Sequence, residues 1–222
     1  MMKKAVLLIG SPRDGATTSG ALGEHLMSLL AAKGIETRSH IISRSLIAKA
    51  SYDEMLNDVS SSDIVVLSYP VYIDSPPSNV IRWMEMVRDD GLAELEGKTF
   101  LAIGNCEDPD PRKLDVSIMI MRNFSDGNRM RWAGGLRMPM SCAIDGASLS
   151  SAGGRGRWAA MALDIVAAAL ADGQTIPEEA DALMSRLPMR DLSYVSRTNK
   201  TWKKRAKEKG TRANLMDRPF LR

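Results

Sequence analysis

The sequence predicts an α/β fold with a parallel sheet, and three observations lead to this prediction. Apolar runs of strand length alternate with segments of helical spacing in the order βαβαβαβαβα. The run at residues 63–69 is apolar enough to be covered on both faces, which is typical of a central strand in a parallel sheet. Breaks such as Gly10-Ser-Pro12 and Pro76-Pro77 mark loops between these segments.

Each element has its own local signal. Apolar runs predict strands at residues 4–9, 35–42, 63–69, 98–104 and 130–136. The first helix has Leu22, Leu26, Leu29 and Leu30 on one face, and Gly34 stands where a C-cap glycine belongs. Further helices are predicted around residues 52–59, 78–88, 114–124 and 153–171, the last after a glycine-rich loop.

The pattern weakens after Gly173, so we expect a domain at residues 1–173 and a basic helical C-terminal appendage at 174–222. Pro177 starts a short helix, and residues 199–209 predict another. Residues 197–222 contain 10 Lys and Arg against 2 acids, whereas the residues before them contain 20 basic and 25 acidic residues. The appendage is therefore basic and the body mildly acidic.

Composition excludes several classes of protein. With 44% hydrophobic and 26% charged residues, the 222-residue chain falls outside the disordered, collagenous and membrane classes. The apolar run that ends at Ile9 is far too short for a signal peptide, and two cysteines are typical of a reducing compartment. We expect a cytoplasmic protein without a membrane partner.

The loop after the first strand favours phosphate binding. Gly10 and Gly15 fit the spacing of the nucleoside-triphosphate loop, but Ala16 stands in place of its essential lysine, and Pro12 breaks the dinucleotide pattern. The remaining groups suit one phosphate monoester: the hydroxyls of Ser11, Thr17, Thr18 and Ser19, the cation Arg13, and the N-terminus of a helix. The alternative is that these hydroxyls only cap the helix.

The loop after the third strand should meet that first loop. In the strand order 2-1-3-4-5, strands 1 and 3 flank the switch point at which ligands bind. Pro70 and Pro76-Pro77 stiffen this loop, so residues 71–75 form a rigid, partly apolar arc on which a flat ring can lie, with Tyr72 and Ile73 as its apolar surface. The alternative is a proline-rich turn that packs onto the next helix.

Taken together, these segments resemble a known family. Gly10-Ser-Pro-Arg13, Thr17-Thr-Ser19 and Tyr69-Pro-Val-Tyr72 with Pro76-Pro77 are similar to motifs of the flavodoxin-like NAD(P)H-dependent FMN reductases and quinone reductases. Asn105-Cys-Glu107 and Trp132-Ala-Gly-Gly-Leu136 resemble one branch of that family, and the similarity covers residues 3–140. The resemblance implies a flavodoxin-like, doubly wound, five-stranded parallel sheet.

The resemblance also implies a cofactor and the residues that hold it. Ser11, Arg13, Thr17, Thr18 and Ser19 would hold the FMN phosphate, and Pro70, Val71, Tyr72, Ile73 and Asp74 would line the isoalloxazine. Asn105, Cys106 and Glu107 occupy the third flavin loop, where this sequence is acidic and stiff instead of glycine-rich. Such a loop would disfavour the anionic reduced flavin.

The implied activity is hydride transfer from NADPH or NADH through FMN to a small electron acceptor, namely a quinone, flavin, nitro or azo compound. The alternative is a flavodoxin-like electron carrier or flavin-binding partner protein without small-molecule turnover. Members of this family place the flavin at a subunit boundary, so the resemblance implies a homodimer or larger homo-oligomer. A third interpretation, in which the tail around Trp202 binds nucleic acid or an anionic membrane, rests on charge alone.

The other reactive side chains predict no separate site. His25 falls in the first helix and His40 in the second strand, without a second ligand at metal spacing, so we expect structural roles and no metal. Cys106 follows a strand but has no predicted base partner, which favours a small buried residue over a nucleophile.

Overall fold

A computed structural model describes residues 2–13, 15–90 and 94–218, with the backbone alone for residues 89 and 90. Asp14 of the first loop and residues 219–222 of the appendage lie outside the described residues. The strands are β1 Lys4–Ile9, β2 Glu36–Ile41, β3 Ile64–Pro70, β4 Thr99–Asn105 and β5 Arg131–Met138. The helices are α1 Thr18–Ala32, α2 Ile42–Ser45, α3 Lys49–Ser61, α4 Ser78–Asp90, α5 Asp115–Gly127, α6 Arg157–Ala171, α7 Glu178–Met184 and α8 Asp191–Glu208.

The five strands form one parallel sheet in the order β2-β1-β3-β4-β5, which confirms the predicted fold class and strand order. Three differences concern helices, and the first is that α6 begins at Arg157, after a 3-10 turn at Gly153–Arg155, although a helix was predicted from residue 153. The four-residue α2 was not predicted, and α8 begins at Asp191, eight positions before the expected start at Asn199. Neither start carries a side-chain cap, since Ile41 and Arg190 make no capping hydrogen bond. The usual sequence signal for a helix start is therefore missing at both.

Alternating residues of the central strands enter two separate cores. On β1, Leu7 and Ile9 join the cluster beneath α1 and α6, whereas Val6 and Leu8 join the cluster beneath α3, α4 and α5. All four side chains are buried. Burial on both faces explains why β1 and β3 are continuous apolar runs in the sequence.

The chain after α6 returns along β5. The backbone N–H of Ile176 donates to the carbonyl of Ala133 at 2.9 Å, and the side chain of Ile176 occupies the space above Gly134. Gly134 has a φ of +144°, and a Cβ at this position would collide with Ile176. Glycine is therefore required where the returning chain meets this edge of the sheet.

Arg137 joins β5 to two helices. Its guanidinium donates to Asp181 of α7 and, at 2.6 Å, to Asp115 at the start of α5, and its backbone N–H donates to Asp181 at 2.9 Å. These hydrogen bonds raise the pKa of Arg137 above its ordinary value, and the bond to Asp181 makes the largest contribution. Charge-assisted hydrogen bonds of this kind fix α7 against the sheet.

The residues divide into two compact units, Met1–Pro188 and Met189–Arg222. The first holds the sheet and helices α1 to α7, and the expected domain at residues 1–173 with its appendage at 174–222 stays a prediction. The second holds α8, on which Leu192, Val195 and Trp202 are exposed. No helix among the described residues has the length and apolarity needed to cross a membrane. In the first unit, His40 hydrogen-bonds Asp58 of α3 at 2.7 Å, a structural contact.

Candidate functional site

A cavity of about 650 Å³ lies at the carboxyl ends of β1, β3, β4 and β5. All thirteen residues proposed from the sequence line it: Ser11, Arg13, Thr17, Thr18, Ser19, Pro70, Val71, Tyr72, Ile73, Asp74, Asn105, Cys106 and Glu107. They come together because parallel strands end at the same edge, and because β1 and β3 flank the point at which the strand order reverses.

The first loop is held close to β3 and α4. The N–H of Gly10 donates to the carbonyl of Ser68 at 2.8 Å, and Asn79 of α4 donates to the carbonyl of Gly10 at 3.1 Å. A Cβ at Gly10 would collide with the side chains of Val80 and Tyr69. The close approach therefore demands glycine and fixes where the loop begins.

The hydroxyl groups of the first loop have different tasks. Thr17 is the N-cap of α1, with its Oγ1 accepting from the N–H of Gly20 at 3.1 Å. Thr18 donates its hydroxyl to the carbonyl of Ser141 at 3.0 Å. Ser19, 1% exposed, accepts from the side-chain amide of Asn105 at 2.8 Å. Helix capping and ligand binding are compatible for Thr17, because a hydroxyl can accept one bond and donate another.

Several donors remain available to an anion at this end of the cavity. Within the described part of the chain, Ser11, Thr17 and Ser19 donate their hydroxyl hydrogens to no other group, and neither do the backbone N–H groups of Thr18 and Ser19. The two N–H groups belong to the first turn of α1, whose dipole favours negative charge.

The lining of the cavity contains more acidic than basic side chains. Arg13 and Lys113 supply two cations, and the carboxylates of Asp74, Glu107, Asp108 and Asp145 oppose them. Arg13 lies 3.9 Å from Glu107, and both side chains are more than half exposed. An exposed pair of this kind is worth about 0–1 kcal/mol, so a phosphate can readily compete for the guanidinium.

The loop after β3, for which the sequence predicted a rigid and partly apolar arc, forms a tight turn at residues 72–75. Tyr72 and Ser75 exchange two backbone hydrogen bonds of 2.9 and 3.2 Å, with Ile73 and Asp74 at φ values of +50° and +62° between them. A β-branched residue at positive φ is strained, and Ile73 is also 98% exposed. The turn thus presents an exposed apolar side chain at the cavity, and the backbone that carries this side chain is strained.

The third loop is anchored by Asn105 and Cys106. The buried amide of Asn105 donates to Ser19 and to the carbonyl of Tyr69 at 2.9 Å, which joins the ends of three elements. Burial, with smaller contributions from Asp108, Asp110 and Asp74, raises the pKa of Cys106 to about 11. Cys106 is therefore a thiol at neutral pH, in agreement with a structural role rather than a nucleophilic one.

Sequence analysis missed the part of the lining that follows β5. Ser141, Cys142, Asp145 and Gly146 line the cavity, as do Ala16, Asp108 and Lys113. The segment folds back over the first loop, where a Cβ at Gly146 would collide with the backbone of Ala16. The available signal was the general rule that loops at the carboxyl ends of parallel strands build the site, applied to the fifth strand.

No protein-family model matches the chain, and no curated protein matches it in sequence. Solved structures do match it in three dimensions. The structure of RosB with bound 8-demethyl-8-formylriboflavin-5'-phosphate has a TM-score of 0.59 and 13% identity, covering 90% of this chain and 87% of that one. An FMN-dependent NADH-azoreductase from Bacillus anthracis in complex with FMN has a TM-score of 0.54 and 12% identity, covering 77% and 100%.

A third likeness is to rubredoxin oxygen:oxidoreductase from the anaerobe Desulfovibrio gigas, with a TM-score of 0.54, 12% identity and 82% of this chain covered. This chain spans 37% of the length of that protein. Identities this low speak for the fold alone. The structural matches, together with the strand order, show that the chain has the flavodoxin-like fold.

Proposed function

We propose that this chain is an FMN-dependent oxidoreductase that transfers hydride from NADH or NADPH through the flavin to a small acceptor, such as a quinone, flavin, nitro or azo compound. The observation that carries the proposal is one cavity with two features. At one end lie hydroxyl and backbone N–H donors that donate to no other group among the described residues, and another part of its lining is a tight turn with an apolar side chain. The names of two matched structures, an FMN-dependent azoreductase and a protein with a bound riboflavin phosphate derivative, support a flavin as the ligand.

The residues present fit FMN. The cavity of about 650 Å³ falls within the range of about 300–1,000 Å³ that is usual for small-molecule sites. The hydroxyls of Ser11, Thr17 and Ser19, with the N–H groups that begin α1, are the kind of donor set that a phosphate monoester requires. The donors lie at the end of β1 and the apolar turn follows β3, the neighbouring strand.

When bound, FMN would supply the hydride chemistry, and the protein's part is binding and orientation. Ser11, Thr17 and Ser19 would donate to the phosphate, with Arg13 as its counter-ion. Val71 and the turn at residues 72–75 would support one face of the ring. Asp74, Glu107 and Asp108 would oppose additional negative charge on the ring, which disfavours the anionic reduced form of the flavin.

An anaerobic spectral titration tests the proposal. We expect the purified protein to take up added FMN, to lose the oxidised flavin spectrum on addition of NADH or NADPH, and to recover it when a quinone is added. Failure to take up FMN would contradict the proposal at its base. Bleaching by dithionite but by neither nicotinamide would contradict the enzymatic function and favour an electron carrier instead.

The proposal includes a homo-oligomer, because reductases of the resembled family place the flavin at a subunit boundary. Light scattering during size-exclusion chromatography of the flavin-loaded protein tests this part separately. A mass of at least twice 24.3 kDa is expected, and a monomeric mass would contradict it.

A further inference from the structure

Helix α8 carries large apolar side chains that are exposed. Leu192 is 86% exposed, Trp202 60% and Val195 53%. Their spacing of three and seven residues places all three on one side of the helix, because an α-helix turns once in about 3.6 residues. A group of exposed apolar side chains on one face is typical of an interaction site, whereas single exposed apolar residues are common on any protein surface.

A second face of α8 is strongly basic. Lys200, Lys203, Lys204 and Lys207 have the spacing i, i+3, i+4, i+7 that puts side chains on one face of a helix, and Arg197 extends this face by one turn. All five side chains are exposed. Over its whole length, α8 holds six basic residues against two acidic ones.

The two faces together indicate the chemistry of the partner. A row of cations requires an anionic surface, and it would make two copies of α8 repel each other. Nucleic acid would satisfy the cations, but the aliphatic side chains of Leu192 and Val195 neither bind phosphates nor stack on bases. A lipid bilayer with anionic lipids satisfies both faces, because it offers negative headgroups beside apolar acyl chains.

The form of α8 also fits a bilayer surface. Its 18 residues give a length of about 27 Å, and a helix with one basic and one apolar face lies in the plane of the membrane interface. Tryptophan is enriched at this depth, because its ring is apolar and its N–H is polar. Lys203, which follows Trp202 directly, can rest its methylene groups on the apolar region and keep its ammonium in water.

We propose that α8 binds the surface of membranes that contain anionic lipids, with Leu192, Val195 and Trp202 in the headgroup region and the basic face against the headgroup charges. The inference is independent of the proposed function, because its residues are distinct from those that line the cavity proposed for FMN. It differs from the expectation of no membrane partner, which rested on composition. A helix that lies on a membrane does not need the long apolar run of one that spans it.

Sedimentation of the full-length protein with lipid vesicles tests the proposal. One kind of vesicle contains phosphatidylcholine alone, and in the other about a third of it is replaced by phosphatidylserine. We expect at least about tenfold tighter binding to the anionic vesicles, because several cations each gain from the negative surface potential, and added salt should weaken this binding. Equal binding to both kinds of vesicle, or binding to neither, would overturn the proposal and leave the proposed function intact.

Substitutions on the apolar face test its part in binding. The double variant with Leu192→Ser and Trp202→Ser should bind anionic vesicles at least about tenfold more weakly, because two apolar side chains no longer leave water. Ile47→Ser, at a position of the first unit that is 84% exposed, is the matched control and should bind like the wild type. Unchanged binding by the double variant would mean that the apolar face has no role.

Substitutions on the basic face test the role of charge. Lys200→Gln combined with Lys204→Gln should weaken binding to anionic vesicles by about tenfold or more, since each cation contributes to the attraction. Lys33→Gln, which removes an exposed cation of the first unit, is the control and should have no effect. A double variant as tightly bound as its control would contradict the proposal.

Two further measurements distinguish a membrane from nucleic acid. Trp202 is the exposed one of the four tryptophans, so its emission should shift to shorter wavelength on vesicle binding. Trp202→Phe keeps an apolar ring, so this shift should disappear while the affinity for vesicles stays within about threefold. If a labelled DNA duplex bound more tightly than the anionic vesicles, and Leu192→Ser left DNA binding unchanged, the basic face would serve nucleic acid and the proposal would be wrong.

Discussion

Arg13 offers the most direct test of where a phosphate binds. We expect Arg13→Gln to weaken FMN binding by about tenfold, because a charge-assisted hydrogen bond of about 1.5–3 kcal/mol is lost, and to leave riboflavin binding unchanged, because riboflavin has no phosphate. Fluorescence titration with both ligands measures the difference. Arg38→Gln, on the exposed side of β2, is the control. A loss shared equally by riboflavin would show that Arg13 does not contact the phosphate.

Ile73 combines backbone strain with an exposed apolar side chain. We expect Ile73→Asn to raise the free energy of unfolding by about 1 kcal/mol, because asparagine tolerates positive φ, and to weaken flavin binding, because the ring loses its apolar support. Urea unfolding and flavin titration measure the two effects.

The control for this prediction is Ile47→Asn, since Ile47 is 84% exposed and outside the lining of the cavity. It should change neither quantity, with stability within about 0.5 kcal/mol of the wild type. If Ile73→Asn left flavin binding unchanged, the turn would have no role in supporting the ring.

The buried thiol of Cys106 predicts a dependence on alkaline pH. Its pKa is raised from the ordinary 9.0 to about 11, so the unfolded chain loses this proton first. The stability associated with the neutral thiol is complete below pH 9 and is lost as the pH rises from 9 towards 11. We therefore expect Cys106→Ala to lose less stability than the wild type in this window, measured by thermal unfolding.

Tyr69 does not affect the comparison between the wild type and Cys106→Ala. Burial raises its pKa as well, with the same sign of effect, but the side chain is present in both proteins. A direct measurement is the rate of alkylation by iodoacetamide in a Cys142→Ser background. A midpoint near pH 9 would mean that Cys106 is not shielded as the structure indicates.

The elements depend on a few contacts between them, of which Arg137 is the clearest. We expect Arg137→Gln to lower the free energy of unfolding by about 1–3 kcal/mol, because Asp181 is mostly buried and would lose its charged partner. Arg129→Gln breaks an exposed pair with Glu96 and should cost about 0–1 kcal/mol. Urea unfolding compares the two, and equal effects would contradict the special role of Arg137.

The strands were predictable because burial on both faces leaves a continuous apolar run, and residues 4–9 were predicted with the same bounds that the structure gives β1. The start of α8 was not predictable, because Arg190 makes no side-chain cap and residues 191–198 are mostly polar. The end of β5 was also not predictable from the sequence, which indicated a strand that ends at residue 136. It extends to Met138, whose carbonyl accepts from Cys106 at 3.0 Å, a contact between residues far apart in sequence.

For the molecule as a whole, the rule that parallel strands end at one edge was enough to predict three of the loops around the cavity. The same rule applies to the fourth loop, after β5, but the position of that loop over the first one depends on contacts that no local pattern shows, such as Thr18 with Ser141 and Ala16 with Gly146. A second cavity of about 400 Å³ beside the first loop could not be predicted for the same reason, because Ile41 and Leu149, which both line it, are far apart in the sequence. Loop chemistry thus identified 13 of the 20 residues that line the first cavity, and the tertiary structure supplied the other seven.

The returning chain at Ile176 affects how copies of this protein can associate. It occupies a carbonyl on β5, so a neighbouring molecule cannot extend the sheet there without displacing it. At the opposite border, β2 carries Glu36, Arg38 and His40 on alternate positions, and charged side chains discourage strand addition. Both borders of the sheet thus disfavour the addition of strands, and we expect concentrated solutions to resist fibril growth by continuous strand pairing.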